Sequence, residues 1–495
     1  MTGNLPKTVL ELAQSGWRSR SVRDEVRDNL VASLKQGTSE SERWPGVLGY
    51  EKTVIPQIEN AILSRHDFIL LGLRGQAKTR LLRMLTRLLD EELPVLEGTE
   101  LNDDPFAPVS GKGRRIVAEL GEEAPIRWIR REDRYREKLA TPDVTIADLL
   151  GDIDPIKAAS RRVTLDDEDA LHFGLVPRTN RGIFAINELP DLSPRIQVGL
   201  LNILEERDVQ LRGHPVRLPL DVLVVFSANP EDYTNRGAII TPLRDRIASQ
   251  ILTHYPASME IARQITEQEA YLAREGVAVD MPEFLAEAVE ETAFQARQSD
   301  LVDQTSGVSV RLTVALRENL VSNAERRALR LGLTDVVARV SDLFAAESAV
   351  TGKIELVFEG EREGSEAVAQ RILGQGVGAV FLRHFPAPYD TKKRRKGTEP
   401  GTEEDVYKPI VDWFAAGNRV VVDDESEPPA QVLEVPTLVA LVHQHLPSLP
   451  EAQVPAACEL VLEGLHQASL LSKDRSHDGA TYGDMLQRMF AGFED

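Results

Sequence analysis

The chain has a single cysteine, Cys458, in 495 residues. That excludes an intrachain disulfide and any multi-cysteine metal site, and a free thiol in a core is the expected role for it. Long apolar runs are missing too. None approaches the roughly 20 residues that cross a bilayer, and the start, Met1-Thr-Gly-Asn-Leu-Pro-Lys7, lacks the basic-then-apolar order of a signal peptide. A soluble, cytoplasmic protein is expected. Positive charge is in deficit: 58 Lys+Arg stand against 79 Asp+Glu, a formal charge of -21, which speaks against general affinity for a polyanion such as DNA. The one dense basic cluster, Lys392-Lys-Arg-Arg-Lys396, runs into Gly397-Thr-Glu-Pro-Gly-Thr402 and reads as a solvated loop. No repeat of fixed period is present. With 42% of residues hydrophobic, the chain can fill two to four domain cores.

One stretch organises the rest. Gly72-Leu-Arg-Gly-Gln-Ala-Lys-Thr79 lies between an apolar run, Phe68–Leu71, and leucines 81, 82, 85, 88 and 89 at helical spacing. A loop that ends a strand and opens a helix presents free backbone N–H groups, backed by the helix dipole, to anionic phosphates. In this pattern Gly72, Gly75, Gln76, Ala77, Lys78, Thr79 and Arg80 form the ATP-binding segment. Lys78 reaches the β and γ phosphates, and Thr79 sets its hydroxyl on Mg²⁺. Ala77 stands where the strict pattern has a second glycine; it keeps its N–H available if its backbone is near-helical. An ordinary glycine-containing turn is the alternative.

Roughly 110 residues later, Arg181-Gly-Ile-Phe-Ala-Ile-Asn-Glu-Leu189 reads as an apolar strand ending in a polar pair. An ATPase needs a group there to hold the metal shell and a carboxylate to polarise water. Asn187 takes the metal-side position and Glu188 the water-side position. An amide lacks the charge that tightens a magnesium shell, so weaker metal affinity or slower turnover is expected. Glu188 has an alternative role as cap of the helix that Ser193-Pro194 begins. A further strand, Val222–Ser227, leads to Asn229, placed to hydrogen-bond the γ-phosphate or the attacking water. Leu243-Arg-Asp-Arg-Ile247 offers Arg244 and Arg246 to a neighbouring subunit's nucleotide, although a surface salt bridge is the commoner role of a single arginine.

Taken in order, these segments resemble the AAA+ ATPases, within the clade of magnesium chelatase ATPase subunits and MoxR proteins. Val47-Leu-Gly-Tyr-Glu51 resembles the clade's Ile/Val-Gly-Gln motif. Gly72-x-Arg-Gly-x-x-Lys-Thr79 resembles the chelatase form of Walker A, and Ala77-Lys78 the MoxR form. His172–Gly182 resembles the hairpin inserted before Walker B, and 207–217, with a turn at Gly213, the pre-sensor-1 hairpin that lines a ring pore. The resemblance makes Arg246 the arginine finger and, through Gly307-Val-Ser-Val-Arg311, makes Arg311 sensor 2. It implies a homo-oligomeric ring, expected to be a hexamer, and a partner carrying a von Willebrand factor A domain, remodelled for metal insertion or complex maturation.

The expected fold is α/β: a P-loop parallel sheet with helices on both faces, then an all-α lid and a mostly helical C-terminal region. Strands are expected at Phe68–Leu71, Ile126–Ile129, Ile183–Ile186 and Val222–Ser227. The expected divisions are an N-terminal helical segment and linker (1–43), the ATPase core (44–255), the lid (256–350) and a C-terminal region (351–495). Three rivals stand beside this reading. One is a non-hydrolysing nucleotide-dependent scaffold, favoured by Asn187. Another is a σ54-type activator, which needs a Gly-Ala-Phe-Thr-Gly-Ala loop that the chain does not contain. The third is a helicase, for which Arg212 and Arg217 are too little basic charge.

Overall fold

The structure is a computed structural model that describes residues 5–164, 167–210, 217–230, 238–388, 406–423, 426–476 and 479–485. The basic cluster 392–396 and the turn at Gly213 lie outside the described residues. The chain forms two compact units, Met1–His254 and Tyr255–Asp495.

The first unit is built on five parallel strands: β1 (Phe68–Leu71), β2 (Tyr135–Leu139), β3 (Gly182–Asn187), β4 (Val222–Ala228) and β5 (Ser249–Leu252). Their spatial order is β5-β1-β4-β3-β2. Strands β1, β3 and β4 are buried at every position, which is why they read as continuous apolar runs rather than alternating ones. Alternation instead sorts their side chains between two cores. Ile69, Phe184, Ile186 and Val224 pack on one face with Val176, Leu200 and Leu243. Phe68, Leu70, Ile183 and Val225 pack on the other with α1 (Val22–Lys35), α2 (Val54–Leu63) and α3 (Lys78–Met84). Because the strands are parallel, the residues that follow β1, β3, β4 and β5 all emerge at one edge of the sheet.

The strand expected at Ile126–Ile129 exists but lies elsewhere. It pairs antiparallel with Glu92–Leu96 in a separate two-stranded sheet, and its Ile129 packs with Leu93 and Val95 in a small cluster of its own. The parallel edge position is taken by β2, whose Arg136, Glu137 and Lys138 carry no apolar signal. Before β3, Leu171–Phe173 returns against Gly151–Ile153 as a hairpin, so His172–Gly182 is that insertion's returning arm and the connection to β3. Asp208–Gln210 and Arg217–Pro219 pair antiparallel, as the pre-sensor-1 resemblance anticipated.

Helix α1 starts at Ser21, whose hydroxyl accepts from the Asp24 N–H. Buried ion pairs fasten it to the sheet unit. Arg134 Nη1 and Nη2 donate to the two Glu25 oxygens at 2.7 and 2.5 Å, and Asp67 accepts from Arg23 at 2.6 Å, Arg207 at 2.5 Å and the Val224 N–H at 2.9 Å.

The second unit is mostly helical. Its long helices are α5 (Glu283–Gln298), α6 (Arg311–Leu331), α7 (Ser365–His384) and α8 (Val454–Gln467), while α4 (Thr241–Arg246) belongs to the first unit. A two-stranded parallel pair, Ala278–Asp280 with Asp335–Val337, and a three-stranded antiparallel sheet, in which Val420–Asp423 and Leu471–Ser476 flank Gly479–Asp484, complete it. Helix α7 crosses α5 and α8 closely: a Cβ on Gly376 would meet Thr292, and one on Gly464 would strike the Phe381 ring.

Cys458 is a free, buried thiol on α8, and burial pushes it up to about 12. The thiolate is the reactive form. A disulfide-exchange reagent at neutral pH is therefore expected to titrate no thiol in the native chain and one in denaturant; rapid labelling of the native chain would contradict the packing of α8.

Candidate nucleotide site

Four consecutive features shape the loop after β1. The Gly72 N–H donates to the Ala228 carbonyl at 3.1 Å, pulling the loop onto the end of β4. A Cβ at Gly72 would collide with the Thr253 hydroxyl and the Gln76 amide oxygen, so only glycine fits. Gly75 (φ 76) and Ala77 (φ 56) are both left-handed. The near-helical backbone expected of Ala77 is therefore not what is found. An alanine there carries a strain on the order of 1–2 kcal/mol, which a glycine would avoid. Helix α3 begins at the next residue, Lys78.

Lys78 is buried, and its ammonium donates to the Gly72 carbonyl at 2.5 Å, the Leu73 carbonyl at 3.0 Å and Asn229 Oδ1 at 2.6 Å. Lys78 and Asn229, 151 residues apart, are thus in direct contact. These three acceptors are neutral, and charge-assisted bonds to phosphate oxygens are stronger than bonds to such groups. Thr79, half-buried, and Arg80, exposed, follow in the first turn of α3.

Asn187 ends β3, buried, and its Oδ1 accepts from Ser227 Oγ at 3.0 Å. One lone pair of that oxygen remains for a metal-bound water. Among the described residues no three His, Cys, Asp or Glu side chains converge as a metal site. Glu188, half-buried, is left-handed (φ 56, ψ 50) and precedes a 3-10 turn, Leu189–Asp191, without a side-chain cap hydrogen bond. The following helix, Pro194–Gly199, begins after Ser193. A non-glycine residue in this conformation costs on the order of 1–3 kcal/mol and is found where surrounding structure holds a side chain for a purpose.

Arg246 sits at the end of α4, partly exposed, with Nε 2.7 Å from Glu205 Oε2 and Nη1 3.0 Å from the Pro242 carbonyl. It is not among the partners of Lys78 or Asn229; Arg244 beside it is exposed. Arg311, exposed, opens α6 in the second unit.

Sequence reasoning missed the residues that brace the loop. The Tyr50 hydroxyl lies between the carbonyls of Gln76, at 3.0 Å, and His254, at 2.8 Å. Thr253, directly after β5, donates to Gln76 Oε1 at 2.7 Å, and Thr53 Oγ1 meets His254 Nε2 at 2.8 Å. Tyr50 belongs to the Val47–Glu51 motif, whose resemblance gave the only hint. Strand β5 has too short and too polar a pattern to have pointed to Thr253.

Comparison with known proteins agrees with this arrangement at the level of domain class. Residues 166–250 match the family model described as the Sigma-54 interaction domain. A 115-residue stretch is 35% identical to the hydrogenase transcriptional regulatory protein HoxA of Cupriavidus necator, covering 21% of this chain and 24% of that protein. The chain thus spans about a quarter of the length of the curated relative it matches. Among solved structures, the complex between the BchI and BchD subunits of magnesium chelatase is similar at 20% identity and a TM-score of 0.32, over 65% of this chain and 98% of that one. NtrX from Brucella abortus is similar at 14% identity and a TM-score of 0.32, over 59% and 55%. The parallel sheet with helices on both faces and a mostly helical second unit is the α/β fold expected from the sequence, and residues 166–250 of its first unit are similar to the Sigma-54 interaction domain.

Proposed function

We propose that the chain binds and hydrolyses ATP and uses it for conformational work on a partner. The observation that carries this reading is the contact of Lys78 with Asn229, with Glu188 presented from the end of the adjacent β3. Lys78 and the N–H groups of residues 75–79 bind and orient the triphosphate. Asn229 and Glu188 hold the attacking water, Glu188 drawing its proton toward a carboxylate oxygen. Thr79 and Asn187 would hold the magnesium shell, and the ion would supply charge neutralisation to the phosphates. Arg311, from the second unit, is the candidate sensor.

Further parts of the proposal rest on the motif resemblance: a homo-hexameric ring in the cytoplasm, and a partner with a von Willebrand factor A domain, in the manner of magnesium chelatase and MoxR ATPases. The division into 1–43, 44–255, 256–350 and 351–495 assigns the lid and the C-terminal region to the second unit. A basic DNA-binding face is no part of it. No described helix is long and apolar enough to cross a membrane.

Glu188→Gln is the direct test. It removes the proton acceptor and spares the phosphate contacts, so ATP affinity should stay within about twofold while turnover falls by roughly 10²–10⁴. Unchanged hydrolysis would return Glu188 to a structural role. Asn187→Asp in the same assay should tighten the magnesium dependence, since a carboxylate replaces an amide. An inactive wild type with intact ATP binding would favour the scaffold.

The match to the Sigma-54 interaction domain gives the activator reading a specific observation. The matched segment, however, is the one that contains β3, the 207–217 stretch, Asn229 and Arg246, all parts of the ATPase. The Gly-Ala-Phe-Thr-Gly-Ala loop is absent from the sequence. ATP-dependent open-complex formation by a σ54 polymerase in the presence of this chain would establish the activator; none is expected.

A further inference from the structure

Three successive residues, Thr253, His254 and Tyr255, are each held by a different partner where the first unit ends and the second begins. Thr253 donates to Gln76 Oε1 at 2.7 Å. The His254 carbonyl lies 2.8 Å from the Tyr50 hydroxyl, and the two rings meet edge to face with centroids 5.0 Å apart. The same hydroxyl lies 3.0 Å from the Gln76 carbonyl, so the first two ties both end in the phosphate loop. A phenol has one proton to give, and two carbonyls compete for that of Tyr50. A loop conformation that draws the Gln76 carbonyl away leaves the proton to His254; one that brings it closer shares it. The hydroxyl thus has two arrangements, and both the loop and the chain at His254 bias them, which is the kind of element that coupling requires.

The third tie ends at a different candidate group. The Arg297 guanidinium, on α5, stands over the Tyr255 ring at 4.3 Å from its centroid, a favourable position for a cation on an aromatic face. Its Nε and Nη2 both donate to the Val308 carbonyl at 3.2 Å. Val308 is fully buried and follows Gly307, whose left-handed backbone (φ 68) turns the chain. From there to α6 the turn is closed by Ser309: its hydroxyl accepts from the Arg311 N–H at 3.1 Å and its carbonyl from the Leu312 N–H at 2.9 Å. Where Arg297 holds Val308 therefore sets where Arg311, the first residue of α6, is presented.

We propose that residues 253–255 are a tether that couples the phosphate loop to the Arg311 turn, with Tyr50 as the positioning residue on one side and Arg297 on the other. A triphosphate seated at residues 76–78 changes the share of the Tyr50 proton that His254 receives. The next residue carries that change to Arg297 and the turn. By reciprocity, ordering the turn favours one arrangement of the loop. The tether rests on the ATPase reading only for the ligand that moves the loop.

Amide hydrogen exchange on the nucleotide-free full chain is the test, since it needs no ATPase activity. Tyr50→Phe removes the contested hydroxyl and keeps the ring. It should speed exchange at Arg311 and Leu312, in the other unit, by at least about fivefold, the lower end of usual couplings. Arg297→Gln should do the same at Gly72 and Leu81, whose N–H groups donate to the Ala228 and Ala77 carbonyls. Glu205→Ala, off the tether, should leave both pairs at wild-type rates. Rates are read against Phe226 in β4 and Leu460 in α8, fully buried residues that report general loosening of each unit. Acceleration confined to the mutated unit, or matched at Phe226 and Leu460, overturns the tether whether or not the chain binds ATP. Acceleration that crosses between units in a chain that binds no ATP upholds the tether and removes the ATPase reading instead.

Discussion

Lys78→Ala is expected to lower ATP affinity by at least about a hundredfold, about 2.7 kcal/mol. The size follows from what the ammonium does. Its acceptors include the carbonyls of Gly72 and Leu73 and the Asn229 amide, neutral groups that a phosphate can replace with a gain in charge-assisted bonding. Hydrogen bonds to charged groups contribute on the order of 1.5–3 kcal/mol each, and two are lost with the side chain. Backbone N–H groups of the loop remain but carry no net charge. A titration with a fluorescent ATP analogue reads the change. Because Lys78 also ties the loop to Asn229, a melting curve must accompany it: a loss of affinity with an unchanged melting temperature belongs to the phosphates and not to unfolding. Affinity within about threefold of wild type, about 0.7 kcal/mol, would remove the site assignment.

The parts of the fold that were legible in the sequence are those where burial on both sides of a strand wrote an apolar run: β1, β3 and β4, with the site residues at their ends. Where burial is one-sided or charge-paired, the pattern fades. Strand β2 is an edge strand of the sheet; its Arg136 and Glu137 point to solvent and to Arg83, respectively in an exposed and a half-buried setting. The run Ile126–Ile129 had the stronger signal yet serves a small satellite cluster, because apolarity reports burial and not which sheet does the burying. Helix α7 escaped notice for another reason. Its Gly374, Gly376 and Gly378 cost on the order of 1 kcal/mol each in helix propensity, a local penalty that the packing against α5 and α8 requires and offsets. The ion pairs Arg134–Glu25 and Arg23–Asp67 join residues 109 and 44 positions apart, and no local pattern encodes such partners. At the candidate site, the motif series singled out Lys78, Asn187, Glu188 and Asn229, of which Lys78 and Asn229 are in contact. The bracing by Tyr50 and Thr253 depends on the closure of β5 beside β1, and only the fold reveals it.

Arg246→Ala should bind ATP normally and hydrolyse it at least about 10³-fold more slowly, since arginine fingers contribute on the order of 10³–10⁵ to turnover. The competing role is the ion pair with Glu205, whose Oε2 lies 2.5 Å from Arg246 Nη2. Magnitudes separate the two. Side chains that are 30% and 54% exposed form a pair of the surface kind, worth about 0–1 kcal/mol. A contact that weak can be exchanged for a neighbour's phosphate at little cost, and its loss alone would lower the melting temperature slightly while leaving turnover intact. Glu205→Ala is the matching control: it removes the pair but keeps the guanidinium, so hydrolysis should persist. If the finger acts across a subunit boundary, turnover per subunit must also rise with protein concentration as the ring assembles. Mixing then supplies the decisive measurement. Arg246→Ala subunits keep their phosphate loops and Lys78→Ala subunits keep their fingers, so an interface in which the second serves the first contains one complete site. Two inactive preparations should recover activity when combined. Full hydrolysis by a dilute monomer, or by Arg246→Ala alone, would exclude the shared site and the ring mechanism with it.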